Sequence, residues 1–115
     1  MGNPVISEKV SRNFFKLLET TSTNLGISET YTSSVYSVEE FTYIKGTCKA
    51  DQDGELIVEF SHDGTNFNGE VSHEYDANDP LSFEVPICAK YMRCRFVNGS
   101  VAQGSFDLGF YATLR

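Results

Sequence analysis

The chain has 115 residues, 40% of them hydrophobic and 13% aromatic, with a formal net charge of −7. That length and apolar share define one globular domain able to bury roughly 65% of its unfolded surface, and they exclude a disordered tail. The acidic excess argues against a binder of nucleic-acid backbone, which needs clustered cations. No apolar run approaches the roughly 18–20 residues that cross a bilayer, so neither nucleic acid nor membrane is an expected partner.

Residues 1–18 read as an N-terminal arm and residues 19–115 as the folded domain. The opening Met-Gly-Asn-Pro-Val-Ile-Ser lacks the apolar segment of a secretory signal, and Ile6 stands where a myristoylation motif needs a hydroxyl. Val10, Phe14, Leu17 and Leu18 fall at the i, i+4, i+7, i+8 spacing of a short amphipathic helix. Phe15 breaks that stripe, and a strand from Phe14 to Glu19 fits as well. In either form, these five apolar side chains need a surface to dock on, in their own domain or in a neighbouring subunit.

Beyond the arm the periodicity is that of strands. After the turn-rich residues 20–28, polar and apolar side chains alternate weakly over Tyr31–Ser37. A longer strand spans Phe41–Ala50, with Ile44, Gly46, Cys48 and Ala50 on one face. Those small inward residues predict close approach by an opposing sheet. Asp51–Gly54 then predicts a hairpin into Leu56–Ser61, where Leu56, Val58 and Phe60 alternate with Ile57, Glu59 and Ser61. Asp63-Gly64 predicts a second turn, followed by a short strand near Val71 and an acidic turn over Glu74–Pro80. Leu81–Cys88 is extended but carries Pro86, which points to an edge or a bulge. Lys90–Val97 places Met92, Cys94 and Phe96 inward and Tyr91, Arg93 and Arg95 outward. Asn98-Gly99 turns the chain into the last strand, where Phe106, Leu108, Phe110, Ala112 and Leu114 alternate with polar or small neighbours. Six to eight strands at this spacing, with turn signals between them, predict an all-β fold: one antiparallel β-sandwich, jelly-roll-like, preceded by a short arm.

Few residues point to chemistry. Cys48, Cys88 and Cys94 are too few for a disulfide framework, and the two histidines form no zinc-ligand spacing, so no metal or cofactor is expected. Ser61, His62 and Asp63 are adjacent in sequence, which is not how a catalytic triad is assembled, and the chain reads as a non-enzyme. Asp51–Glu55 has its glycine too early for a calcium loop. Asn98-Gly99-Ser100 fits a glycosylation sequon but reads as a turn. Every charged side chain from 51 to 79 is acidic, the pattern of a solvated, repulsive surface. Arg93 and Arg95 beside Tyr91 read as cross-strand salt links, with Glu59 or Glu84 as partners, or as a subunit interface. His62, Asp63, Asn66, Phe67 and Tyr75 form a candidate ligand loop. With Tyr31, Tyr36 and Tyr43, its aromatics would offer a platform for stacking sugars.

Three stretches carry a resemblance: TSTNLGISETYT, ADQDGELIVEFSHDGTNFN and AKYMRCRFVNGSVAQGSFDLGFYATL. Together they resemble a small β-sandwich domain found among structural proteins of tailed phages and other DNA viruses. The Ser61-x-Asp63-Gly64-x-Asn66 hairpin and the Tyr91-x-Arg93-x-Arg95-Phe96-x-Asn98 strand are the most specific matches. The likeness covers about residues 19–115, with Phe67 where Trp is common, and supplies no catalytic residues. It implies a virion protein, assembled in the host cytoplasm, whose partners are other virion proteins or further copies of itself. Capsid decoration, minor capsid or vertex protein, and fibre or tail component are the expected roles; the alternative is a carbohydrate-binding module for host attachment. Val10, Phe14, Phe15, Leu17, Leu18, Tyr91, Arg93 and Arg95 are the expected interface residues.

Overall fold

The computed structural model describes residues 15–115. Nine strands and no helix form there: β1 (Phe15–Thr21), β2 (Thr30–Thr32), β3 (Tyr36–Ser37), β4 (Tyr43–Ala50), β5 (Gly54–Ser61), β6 (Gly69–Tyr75), β7 (Leu81–Pro86), β8 (Tyr91–Asn98) and β9 (Phe106–Thr113). One sheet runs β1-β9-β4-β7, the other β2-β8-β5-β6, and every pairing is antiparallel. β3 pairs with the start of β8, at Tyr91 and Met92, and β2 with its later residues Arg95–Val97. The two are therefore one edge strand, interrupted at residues 33–35, and the eight strands so counted follow the jelly-roll order.

Ser33 explains the interruption. Its backbone N–H donates to Cys94 O at 2.9 Å. Its side-chain Oγ, rather than a backbone carbonyl, accepts the Cys94 N–H at 2.8 Å. A hydroxyl thus takes the place of a ladder acceptor, and the strand breaks there without orphaning a buried donor.

The core is the alternating set read from the sequence, except that Leu114 lies beyond the end of β9 and is exposed. Ile44, Cys48, Ala50, Leu56, Val58, Phe60, Met92, Cys94, Phe96, Phe106, Leu108, Phe110 and Ala112 fill the space between the sheets, and each is buried. Burial of a large aliphatic or aromatic side chain stabilises by about 1.5–3 kcal/mol, so this two-layer core holds the sandwich together. Phe96 packs edge-on to Tyr75 at 5.6 Å and tilted against Phe106 at 5.0 Å. Pro86 sits on an edge strand, as its missing N–H requires.

Three expectations change. The Asp51–Gly54 turn does not close a hairpin: β4 and β5 lie in different sheets, so the segment is a corner crossing between layers. Gly54 is there for space. A Cβ on it would stand 2.6 Å from Val97 O and from Phe96 Cε1. The close approach at Gly46 comes from its own sheet, since a Cβ would meet Gly109 O at 2.4 Å and the Phe83 ring at 2.5 Å. And the segment near Val71 is a full seven-residue strand. The second Asp-Gly does turn a hairpin, β5–β6, with Gly64 at φ 81°. At the N-terminus, Phe15–Leu18 form the first half of β1, so the extended reading holds for those residues; Val10 and Phe14 lie outside the described residues.

Candidate functional site

The residues that carry the sequence resemblance hold loops together. Asp63 Oδ1 accepts the backbone N–H groups of Thr65 and Asn66 and the Ser61 hydroxyl, each at 2.8 Å; Oδ2 accepts Asn66 Nδ2–H, also at 2.8 Å. The two backbone bonds, with the Asn66 and Ser61 side chains, hold this carboxyl well below the usual carboxylate range. Asp51 accepts Gly104 N–H through both oxygens at 3.0 Å, and Asp53 Oδ1 accepts Ala77 N–H at 2.8 Å. Asn98 Nδ2 donates to Gly26 O and Val101 O, and Gln103 Oε1 accepts Leu25 N–H at 2.7 Å. Asn98 is buried, so its amide nitrogen belongs to the fold and is not presented as a glycan acceptor.

The candidate ligand loop separates. Phe67 folds back onto β8, its ring 4.2 Å from the Arg93 guanidinium carbon. Gly64 lies over the Tyr91 ring. Tyr75 corrects the reading of an exposed aromatic: it is 1% exposed, at the far end of β6. Its hydroxyl accepts Ala50 N–H at 2.9 Å and donates to Asp79 O, fixing the sheet-crossing corner. Tyr31 and Tyr36 are also committed. Both donate to Glu19, which accepts Ser34 N–H as well, so one carboxylate ties β1 to the opposite sheet across the sandwich edge. Burial works to raise the Glu19 pKa, but these hydrogen bonds outweigh it and the group titrates below its ordinary value. Burial, then the Glu19 bond, push the Tyr31 phenol up.

On the outer face of the second sheet, Glu59 sits buried between two arginines. Arg93 Nε–H donates to it at 2.6 Å and Arg95 at 3.3 Å. Glu59, not Glu84, is the partner of both. The two arginines cover the Glu59 side chain, which is 8% exposed although it faces away from the core.

The other outer face differs. Phe15 and Leu17 are 56% and 52% exposed, beside the half-exposed Tyr111. Phe15 meets the Tyr111 ring edge-on at 6.0 Å, and Lys45 Nζ stands 5.7 Å from Phe15 and 5.6 Å from Tyr43. Phe15, Lys45, Thr47, Phe83, Glu84 and Tyr111 line an open groove of about 400 Å³. Phe15 and Leu17 belong to the expected interface; Leu18 instead packs against the core. The sequence offers Tyr43 only as one aromatic of a sugar platform and does not single out Lys45 or Tyr111. Their outward parity was readable, but only the β1–β9–β4 register makes them neighbours. Cys48 and Cys94 are buried, which pushes the Cys48 thiol up to about 12 and Cys94 up as well; Cys88 is exposed.

Fold and surface together define a jelly-roll module with hydrogen-bonded loops and an exposed apolar cluster on one outer face. The chain belongs to the family described as the N-terminal domain of the uncharacterised protein YqxG, which matches residues 7–113. Among solved structures it is similar to the PBSX exported protein XepA, at 24% identity and a TM-score of 0.72, over 86% of this chain and 36% of that one. The chain therefore spans about a third of XepA's length. It is also similar to a subunit from Bacillus endospore appendages, described as disulfide-linked pili, at 14% identity and a TM-score of 0.51, covering 88% of this chain and 91% of that one. At these identities the likeness is one of fold. No curated protein matches the chain.

Proposed function

We propose that this domain is a non-enzymatic structural module of a phage-related or extracellular assembly, working through contacts with neighbouring protein subunits. The observation that carries the reading is the exposed cluster of Phe15, Leu17 and Tyr111 on the outer face of the β1-β9-β4-β7 sheet. Contiguous exposed apolar side chains mark interaction sites, and aromatic residues are enriched at subunit contacts. Two features support it. The loop residues with reactive side chains, Ser61 and Asp63, are bonded to each other and to the loop backbone. The same sandwich occurs in a PBSX exported protein and in a subunit of endospore-appendage pili. Within this class, a decoration, vertex, or fibre and tail component of a virion is the finer role we assign, with Tyr91, Arg93 and Arg95 as a secondary contact.

The test is fractionation of the producing culture by mass. Wild-type chain should sediment with particles or other high-mass material, and a Phe15→Ser, Leu17→Ser, Tyr111→Ser variant with an unchanged circular dichroism spectrum should move to the free fraction. Free wild-type chain, or a variant that remains particle-bound, contradicts the proposal.

A further inference from the structure

A second surface, separate from the apolar face, lies at the free edge of β6. A sheet edge exposes a row of unpaired N–H and C=O groups, and proteins usually blunt it. Three of the four edges here are blunted. β1 carries a register shift between Leu17 and Glu19, β7 ends in Pro86, and the β2–β3 strand is broken at residues 33–35. β6 has no bulge, proline or break, and its guard is charge, Glu70 and Glu74. It pairs with β5 in unbroken register from Gly54↔Tyr75 to Phe60↔Gly69, and every residue of it except Tyr75 is exposed. Val71 lies opposite the core residue Val58 yet is 45% exposed, so the opposing sheet stops short of this strand.

The charge on the edge selects its partner. On the outward face of β6, Glu74 sits directly opposite Glu55, and Glu70 directly opposite Glu59. Like charges in such positions destabilise a sheet. Arg93 and Arg95 neutralise Glu59, but among the described residues no ion pair reaches Glu55, Glu70 or Glu74. Asp53, Glu55, Glu74 and Asp76 line a polar cleft of about 320 Å³ at the end of the strand. No group of carboxylates among the described residues is arranged to hold a metal ion. A second copy of β6 fits poorly: the antiparallel register that overlaps all seven residues is centred on Ser72 and sets Glu70 against Glu74 at both ends.

We propose that the β6 edge is a strand-addition site for an extended segment of a partner protein carrying Lys or Arg at alternate positions. Main-chain hydrogen bonds would continue the sheet beyond β6. The alternate cations would stand opposite Glu70 and Glu74, with one reaching the cleft at Glu55. Recognition by backbone gives the affinity, and the carboxylate row sets the direction and composition of the guest.

The test uses an acetylated, amidated seven-residue peptide alternating lysine with valine, and its counterpart alternating glutamate with valine. At low salt the lysine peptide should bind about tenfold or more tightly than the glutamate peptide. It should lose affinity as salt rises and slow amide hydrogen exchange in β6. A Glu70→Lys, Glu74→Lys variant that melts as wild type should reverse the preference. Equal binding of both peptides, binding without new protection of β6 amides, or a preference that survives the charge reversal would overturn the proposal. So would self-association of the wild-type chain through β6.

Discussion

Asp63 shows how a fully solvated carboxylate becomes structural. Four hydrogen bonds converge on its two oxygens, and all of them favour the ionised form. Because folding lowers its pKa below the ordinary 3.8, the stability it contributes is complete above that value and is lost as pH falls toward the folded-state value. An Asp63→Ala variant should therefore melt below wild type by a constant margin from pH 7 to about pH 5. The margin should shrink progressively below about pH 4, as followed by thermal denaturation. Glu19 obeys the same sign through its bonds to Tyr31, Tyr36 and Ser34. The two roles were not equally readable in the sequence. Asp63 sits in a Ser-x-Asp-Gly-x-Asn turn whose bonding is local, so its spacing announces it. Glu19 bonds to residues 12, 15 and 17 positions away across the edge of the sandwich, which no local pattern encodes.

Strands were the legible elements and most of their pairings were not. The inward faces of β4, β5, β8 and β9 follow from alternation alone, because side-chain period is a local property. Whether Asp51–Gly54 closes a hairpin or crosses between sheets depends on contacts far along the chain, where Gly104, Ala77 and Gly99 receive the turn. An Asp-Gly signal cannot distinguish the two, although φ can: Gly64 is left-handed and Gly54 is not. The pairing of β4 with β7 depends on a space of another kind. Gly46 admits the Phe83 ring directly opposite it. A Gly46→Ala change puts a methyl against backbone as well as ring, and should destabilise the fold by about 1–3 kcal/mol. Equilibrium urea unfolding checks this, with a lower midpoint and an unchanged slope as the expected result.

For the whole molecule, the described surface divides into three regions with different physical character. One sheet carries an exposed apolar cluster of Phe15, Leu17 and Tyr111 on its outer face. The other covers its outer face with a buried carboxylate between two arginines and a loop folded over β8. Between them runs an acidic strand edge that no other described strand pairs with. The jelly roll keeps these regions apart on a rigid frame, which suits a part that joins neighbours on more than one side. The claim that rests most heavily on this division is that the apolar face is a subunit contact. Hydroxyl-radical footprinting of the purified chain and of its assembled, high-mass form tests it directly. Labelling of Phe15, Leu17 and Tyr111 should fall sharply on assembly while Val101, exposed elsewhere, is unchanged; equal labelling of Phe15, Leu17 and Tyr111 in the two forms would contradict it.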